Sequence, residues 1–426
     1  MDFDLADGTG VRWQADLGSY SYAGPVVAAG KVFVGTNNAS PRDLSKTDDL
    51  GVLMVFDAID GTFLWQATHA KREQDIDFPL QGLCSTPAVV GDRAYYVSNR
   101  AELVSVDAEG FRDGKNDGPF ADEPEVGIHA ADVIWSLDLH DELGVTPHFM
   151  AASTPEVGGD LVFAVTSNGI AQGGGVPSPE APSFVAVRRE TGDLVWSSAA
   201  PGSALIDGQW ASPRRFSLGG RERVLFPGGD GWLRAFEATA GAQLWQFDGN
   251  AIPAGREPNP RALNVFVATP TLVGARAYLV LGRDPEKGSG DGGLWALDLA
   301  AGDGPEVTWF VGGDDFGRAI ADAAVADGVV YAADLDGFVV AVDADTGVVR
   351  WRYDAFAPIW ATPLVTPAGV WIADTDGEIV VLGTGPELEI LAELETGSPI
   401  YRAPVVDGSL VYLMTTDSLY AIDGKE

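Results

Sequence analysis

The sequence predicts an all-β protein: an eight-bladed β-propeller of four-stranded antiparallel blades, its ring closed by the N-terminal strand. Three observations carry that prediction. A unit of alternating apolar residues, then Asp-x-x-x-Gly, then a tryptophan four residues after the Gly recurs along the 426 residues. Each copy follows a pair of short alternating runs, and Pro recurs at the head of the first. The composition, 46% apolar with Gly 53 and Pro 26, belongs to a folded, turn-rich chain rather than a disordered one.

The repeat reads VFDAIDGTFLW at 55–65, VAVRRETGDLVW at 185–196, RAFEATAGAQLW at 234–245 and VAVDADTGVVRW at 340–351, with looser copies ending at Trp135 and Trp309. Period-2 alternation gives short strands, and Asp-Gly, Gly-Asp and Thr-Gly pairs give tight hairpins between them. Pro25, Pro87, Pro155, Pro213, Pro270, Pro363 and Pro404 head the first strands, where no ladder bond is lost. A four-stranded unit cannot bury both faces alone, so units stack, and a closed ring removes long exposed edges.

Eight units result, at about 20–66, 82–137, 148–198, 205–248, 261–311, 317–353, 357–392 and 396–426, forming one domain over 1–426. The eighth lacks a Trp strand, and the stretch around Trp13, residues 5–17, is predicted to supply it. The seventh has no Trp either, and Ile390 or Leu391 is expected to stand in.

A net charge of −35 and a pI near 4.2 repel nucleic acid and anionic lipid, which are excluded as partners. No run approaches the ~20 apolar residues of a membrane span. Met1 runs straight into Asp2, Asp4 and Asp7, as expected of a start placed where a leader was removed. The lone Cys84 excludes an intramolecular disulfide.

These repeats resemble the tryptophan-docking motif, Ala-x-Asp-x-x-Thr-Gly-x-x-x-Trp, of the pyrroloquinoline-quinone-like propellers, which include quinoprotein dehydrogenases and the non-catalytic assembly lipoprotein BamB. The resemblance covers essentially the whole chain and is nearest to secreted bacterial members. In the dehydrogenase branch it implies a metal-ligating Asn at Asn168. The same branch carries a Trp-Asp pair whose Asp is the catalytic base, but here Ala211 follows Trp210, and alanine cannot accept a proton. A quinone-binding Arg is implied where this chain has Gly229. A one-residue slip would offer Asp207 or Asp230 instead. The cofactor-binding candidates are therefore Asn168, Asp207, Trp210 and Asp230, with no catalytic residue named.

For a metal, the insert 107–125 clusters Asp107, Glu109, Asp113, Asn116 and Asp117, and calcium takes six to eight oxygens. A solvated acidic loop is the simpler reading. The loop 282–293 has the same character. Asn37, Asn99, Asn168, Asp230, Asp284, Asp336, Asp376 and Asp417 recur after the second strands, as an oxygen-rich mouth or simply as turn residues. His69, His129, His140 and His148 form no ligand-spaced pair. Tyr20, Tyr22, Trp210, Phe266, Trp360 and Tyr401 are placed near the central funnel, as channel filling or as a stacking surface.

The function expected is a non-enzymatic, monomeric binding or scaffold module of the bacterial periplasm or cell surface, with protein partners in the envelope. No cofactor is expected apart from Ca2+ as a loop stiffener, and pyrroloquinoline quinone is not expected. The alternatives are a quinone-dependent dehydrogenase with a rebuilt site and a carbohydrate-binding propeller.

Overall fold

A computed structural model describes residues 5, 7–72, 78–251, 263–288, 290–302 and 304–424. Met1, Asp2 and Asp4, on which the leader expectation rests, lie outside the described residues, as do Ser289 of the 282–293 loop and residues 261–262 of the fifth predicted unit. The chain forms eight four-stranded antiparallel sheets, the predicted eight-bladed β-propeller. Their strands span 26–70, 88–138, 156–198, 214–248, 271–311, 324–354, 364–395 and 405–423, the last joined by Val11–Asp16. As predicted, the N-terminal strand pairs with the last, Trp13 opposite Ala421. Blades 8, 1, 2 and 3 form one compact unit (1–202 with 404–426), and blades 4 to 7 form another (203–403).

All seven prolines sit directly before a first strand, for example Pro25 before Val26–Ala28 and Pro404 before Val405–Asp407. The first strands have three residues each, except the five of Arg214–Leu218 in blade 4, and the second and third strands are the buried ones. Phe33, Val34, Val52 and Met54 in blade 1, and Val330, Tyr331, Val340 and Ala341 in blade 6, are all within 1% of full burial.

The repeat works by docking between blades. The Trp of one blade donates its indole N–H to a carbonyl in the third-to-fourth-strand turn of the next: Trp13 to Ala58 (3.0 Å), Trp65 to Ala108 (3.2 Å), Trp135 to Arg189 (2.8 Å), Trp309 to Ala344 (3.0 Å) and Trp351 to Gly385 (3.2 Å). The turn glycine is needed for two reasons. Gly347 has φ +73°, and a Cβ there would lie 2.7 Å from Cβ of Trp309. The Asp that opens the turn caps it, as Asp343 does by accepting from Thr346 N (3.0 Å).

Register corrects the expectation for blade 7. Each fourth strand carries a bulge just before its docking residue: Phe56 pairs with Phe63, but Val55 pairs with Trp65. In blade 7 Leu382 pairs with Ile390 and Val381 with Ala392. Ala392 therefore occupies the tryptophan position, while Ile390 and Leu391 stay 49% and 47% exposed. The bulge residue has no partner across the ladder, so counting along the sequence lands one or two positions short.

Candidate functional site

In blades 3, 6, 7 and 8 the turn after the second strand is capped two residues before the acidic or amide residue that stands out in the sequence. In blade 2 the cap lies one residue before, whereas Asp230 and Asp284 cap their own turns. In blade 6 the Asp334 carboxylate accepts from the N–H groups of Asp336 (3.0 Å), Phe338 (2.8 Å) and Gly317 (3.0 Å). Asp374 does the same in blade 7 for Asp376 and Glu378 (both 2.9 Å). Ser98, Thr166 and Thr415 cap the corresponding turns through their hydroxyls. Asp336, Asp376 and Asp417 are exposed tips, whereas Asn37, Asn99 and Asn168 are buried. The buried side-chain oxygens of Asn37 and Asn168 accept from backbone N–H groups, which is the chemistry of a turn.

The residues that the resemblance marks for a quinone centre fall into both units, and each is committed locally. Asn168, in blade 3, is fully buried. Its side-chain oxygen accepts from Thr146 N (3.0 Å), and its amide nitrogen donates to Ser178 O (2.9 Å). Asp207, at the entry to blade 4, is fully buried and ion-paired with Arg283 Nε at 2.9 Å. Asp230 is held in a two-point contact by Arg234, at 3.0 and 2.5 Å, both side chains being buried. Trp210 folds back over Gly208, where a Cβ would come within 2.2 Å of its ring. Ala211 is core, packed with Phe216, Leu225 and Phe266.

Gly229 decides the fit. Its carbonyl accepts from Ile206 N and Asp207 N (3.0 and 3.2 Å), and a Cβ there would lie 2.5 Å from Gly208 O. An arginine cannot stand where the resemblance implies one without moving that loop. With an alanine at the base position and an amide already bonded to Thr146 and Ser178, these residues do not fit a quinone and its metal.

The insert between the third and fourth strands of blade 2 holds the residues marked for a metal. Glu109 pairs with Lys31, and Asp113 with Lys115 at 2.6 Å. Asp107 caps the turn by accepting from Glu109 N (2.7 Å), Asn116 donates to Glu123 Oε2 (3.0 Å), and Asp117 N donates to Asp132 Oδ2 (2.8 Å). Among the described residues no three Asp, Glu, His or Cys side chains form a closed metal site. The sequence reading missed Glu123 and Asp132. Asp132 Oδ1 and Glu123 Oε1 are both hidden from solvent, with no hydrogen-bond partner among the described residues. Burial, then the charges of Glu123, Asp107 and Asp117, push Asp132 up to about 6 against one backbone N–H that holds it down.

The histidines serve the structure. His69 belongs to the outer strand of blade 1 rather than a connection, and contacts Tyr96 Oη (2.9 Å) and Glu102 (3.3 Å). His129, His140 and His148 each bond a backbone carbonyl through Nδ1. Among the aromatics, Tyr20 and Tyr22 stack at 5.9 Å and Trp360 meets Tyr401 at 4.8 Å, but Phe266 is only 1% exposed and belongs to the blade core.

The chain matches the family model described as outer membrane protein assembly factor BamB over residues 2–116, 126–304 and 292–426. The chain belongs to the BamB-like family of pyrroloquinoline-quinone-like propellers. No protein of curated function matches it in sequence. Among solved structures it is similar to BamB from Moraxella catarrhalis, with 15% identity, 98% of both chains covered and TM-score 0.64. It is also similar to the quinohemoprotein alcohol dehydrogenase from Comamonas testosteroni, with 13% identity, 98% of this chain and 77% of that one, and TM-score 0.63. Sqt1 from Saccharomyces cerevisiae gives 8% identity, 98% and 99% coverage, and TM-score 0.64. At such identities these likenesses establish the shared fold. No helix among the described residues is long and apolar enough to cross a membrane.

Proposed function

We propose that this BamB-like propeller is a non-enzymatic binding or scaffold module, a single eight-bladed domain that acts as a monomer in the bacterial periplasm or at the cell surface and engages protein partners of the envelope. The observation that carries the reading is the closure of the quinone position at Gly229, where a Cβ would meet Gly208 O at 2.5 Å. The burial of Ala211 where a general base would be needed supports it, as does the family match along the chain. A rigid ring of blades suits presentation of a surface, a step argued from fold analogy. The acidic surface implied by a net charge of −35 favours partners with basic faces.

Calorimetric titration of the chelator-stripped chain with pyrroloquinoline quinone, with and without calcium, tests the reading alongside dye-linked alcohol oxidation. Neither quinone uptake nor oxidation is expected. Saturable one-to-one quinone binding overturns the reading and makes Asp207, beside Arg283, the first residue to substitute. Calcium binding without quinone leaves it untouched.

A further inference from the structure

Every third-to-fourth-strand hairpin with the short repeat turn closes with the same backbone bond. Asp57 N donates to Thr62 O (2.8 Å), Arg188 N to Asp193 O (2.8 Å), Glu237 N to Ala242 O (2.8 Å) and Asp343 N to Val348 O (2.9 Å). The closing residue is exposed in each of these blades, Val348 by 61%. Blade 2 keeps the bond, Asp107 N to Asp132 O at 2.9 Å, but inserts residues 108–131 inside it. There the closing residue, Asp132, is 0% exposed.

The insert thus folds back over a carboxylate that the repeat would leave in water. Gly118 packs onto the following strand, where a Cβ would lie 2.6 Å from Ile134 Cγ2, and Phe120 N donates to Ile134 O (3.3 Å). The cover brings acids with it. Glu123 presents a second hidden oxygen, and the charges of Asp107 and Asp117 act on the same spot. The insert's lysine is taken by Asp113 on the exposed side. Burying uncompensated carboxylates together is unfavourable unless something positive enters.

We propose that the blade 2 insert is a built site for a hard divalent cation of the calcium type, with Asp132 Oδ1 and Glu123 Oε1 as its carboxylate ligands. Carbonyl oxygens of the insert and water complete the shell, so that a third carboxylate need not touch the ion. The donor set is all oxygen, which selects a hard cation over zinc or copper. An irregular loop suits calcium's tolerant geometry better than the near-octahedral demand of magnesium. The site moves the metal assignment from Glu109 and Asp113, both spent on lysines, to two residues at the closed end of the insert. It does not depend on the binding-module reading.

The test uses the full chain, stripped with chelator and titrated with calcium chloride by calorimetry, with thermal unfolding in parallel. The expected result is one calcium per chain and a rise in Tm, both lost in Asp132→Asn. Glu123→Gln is expected to weaken binding at least tenfold, and Asp113→Asn to leave it unchanged. No calcium uptake by the wild-type chain, or equal uptake by Asp132→Asn, overturns the proposal. Should Asp132→Asn fail to fold, Glu123→Gln decides, and unchanged affinity in that variant overturns it.

Discussion

Blade 2 holds a half-buried carboxylate, Glu102, at the start of its third strand, Glu102–Asp107, and a fully buried one, Asp132, beyond its end, and the two are treated in opposite ways. At the start, Glu102 accepts from Ser98 Oγ and Arg100 Nε (both 2.9 Å) and lies 3.3 Å from His69 Nδ1 of blade 1. Burial alone would raise Glu102, but His69, Arg100 and Ser98 outweigh it and hold the acid down to about 2. Beyond the other end, Asp132 meets Glu123, Asp107 and Asp117, and rises to about 6. Both groups hang on the same sheet. What differs is the origin of their neighbours: regular blade packing brings the His69 ring, the Arg100 guanidinium and the Ser98 hydroxyl to Glu102, while the insert brings acids to Asp132.

The comparison presumes that blade 2 has the same frame as a blade without an insert, and the largest predicted effects test that presumption. Trp65 docks on the insert-bearing turn and Trp309 on the short turn of blade 6, each through one indole bond and near-complete burial. Trp65→Ala and Trp309→Ala are each expected to destabilise by about 3–5 kcal/mol in urea unfolding. A much milder Trp65→Ala would mean that the insert has taken over the docking.

Next in size is Glu102→Gln, expected to cost about 3 kcal/mol at pH 7, since each unit of pKa shift is worth about 1.4 kcal/mol. The sign follows from a folded-state value below the ordinary one of 4.5. The stabilisation is fully present above about pH 4.5 and fades as the pH falls towards 2. Unfolding curves of Glu102→Gln and wild type should therefore separate at neutral pH and converge near pH 2. A gap that persists unchanged to pH 2 would assign the loss to packing rather than charge.

Why the fold was legible and parts of the site were not comes down to range. The docking turn is local: Asp343, Gly347 and Trp351 carry it within one hairpin and repeat at fixed spacing, so the propeller could be read directly. The proline heads were local too. The blade 7 error came from a bulge, a feature of register with no residue signature of its own, which put Ala392 where Ile390 or Leu391 was expected. Asp334 and Asp374 were overlooked beside Asp336 and Asp376 because composition does not tell which Asp of Asp-x-Asp-Gly turns inward. Non-local pairs were out of reach altogether. Asp207 finds Arg283 across 76 positions, and Asp132, a strand-leading residue in sequence, becomes buried only through the path of the insert.

The smallest predicted effect bears most directly on the contrast between the two carboxylates. In chelator-stripped protein at pH 8, Asp132→Asn should be neutral or stabilising by about 1 kcal/mol, opposite in sign to Glu102→Gln. The amide oxygen can still accept from Asp117 N, as Asp132 Oδ2 does at 2.8 Å. Its NH2 group then offers a donor to the hidden Glu123 Oε1 and removes one charge from a cluster that also feels Asp107 and Asp117. Because the group is buried, added salt should alter the difference little. Urea unfolding of both proteins after chelation measures it. A loss of 1 kcal/mol or more would mean that the chain already supplies Asp132 with a compensating partner, and the two ends of the strand would then differ in degree only.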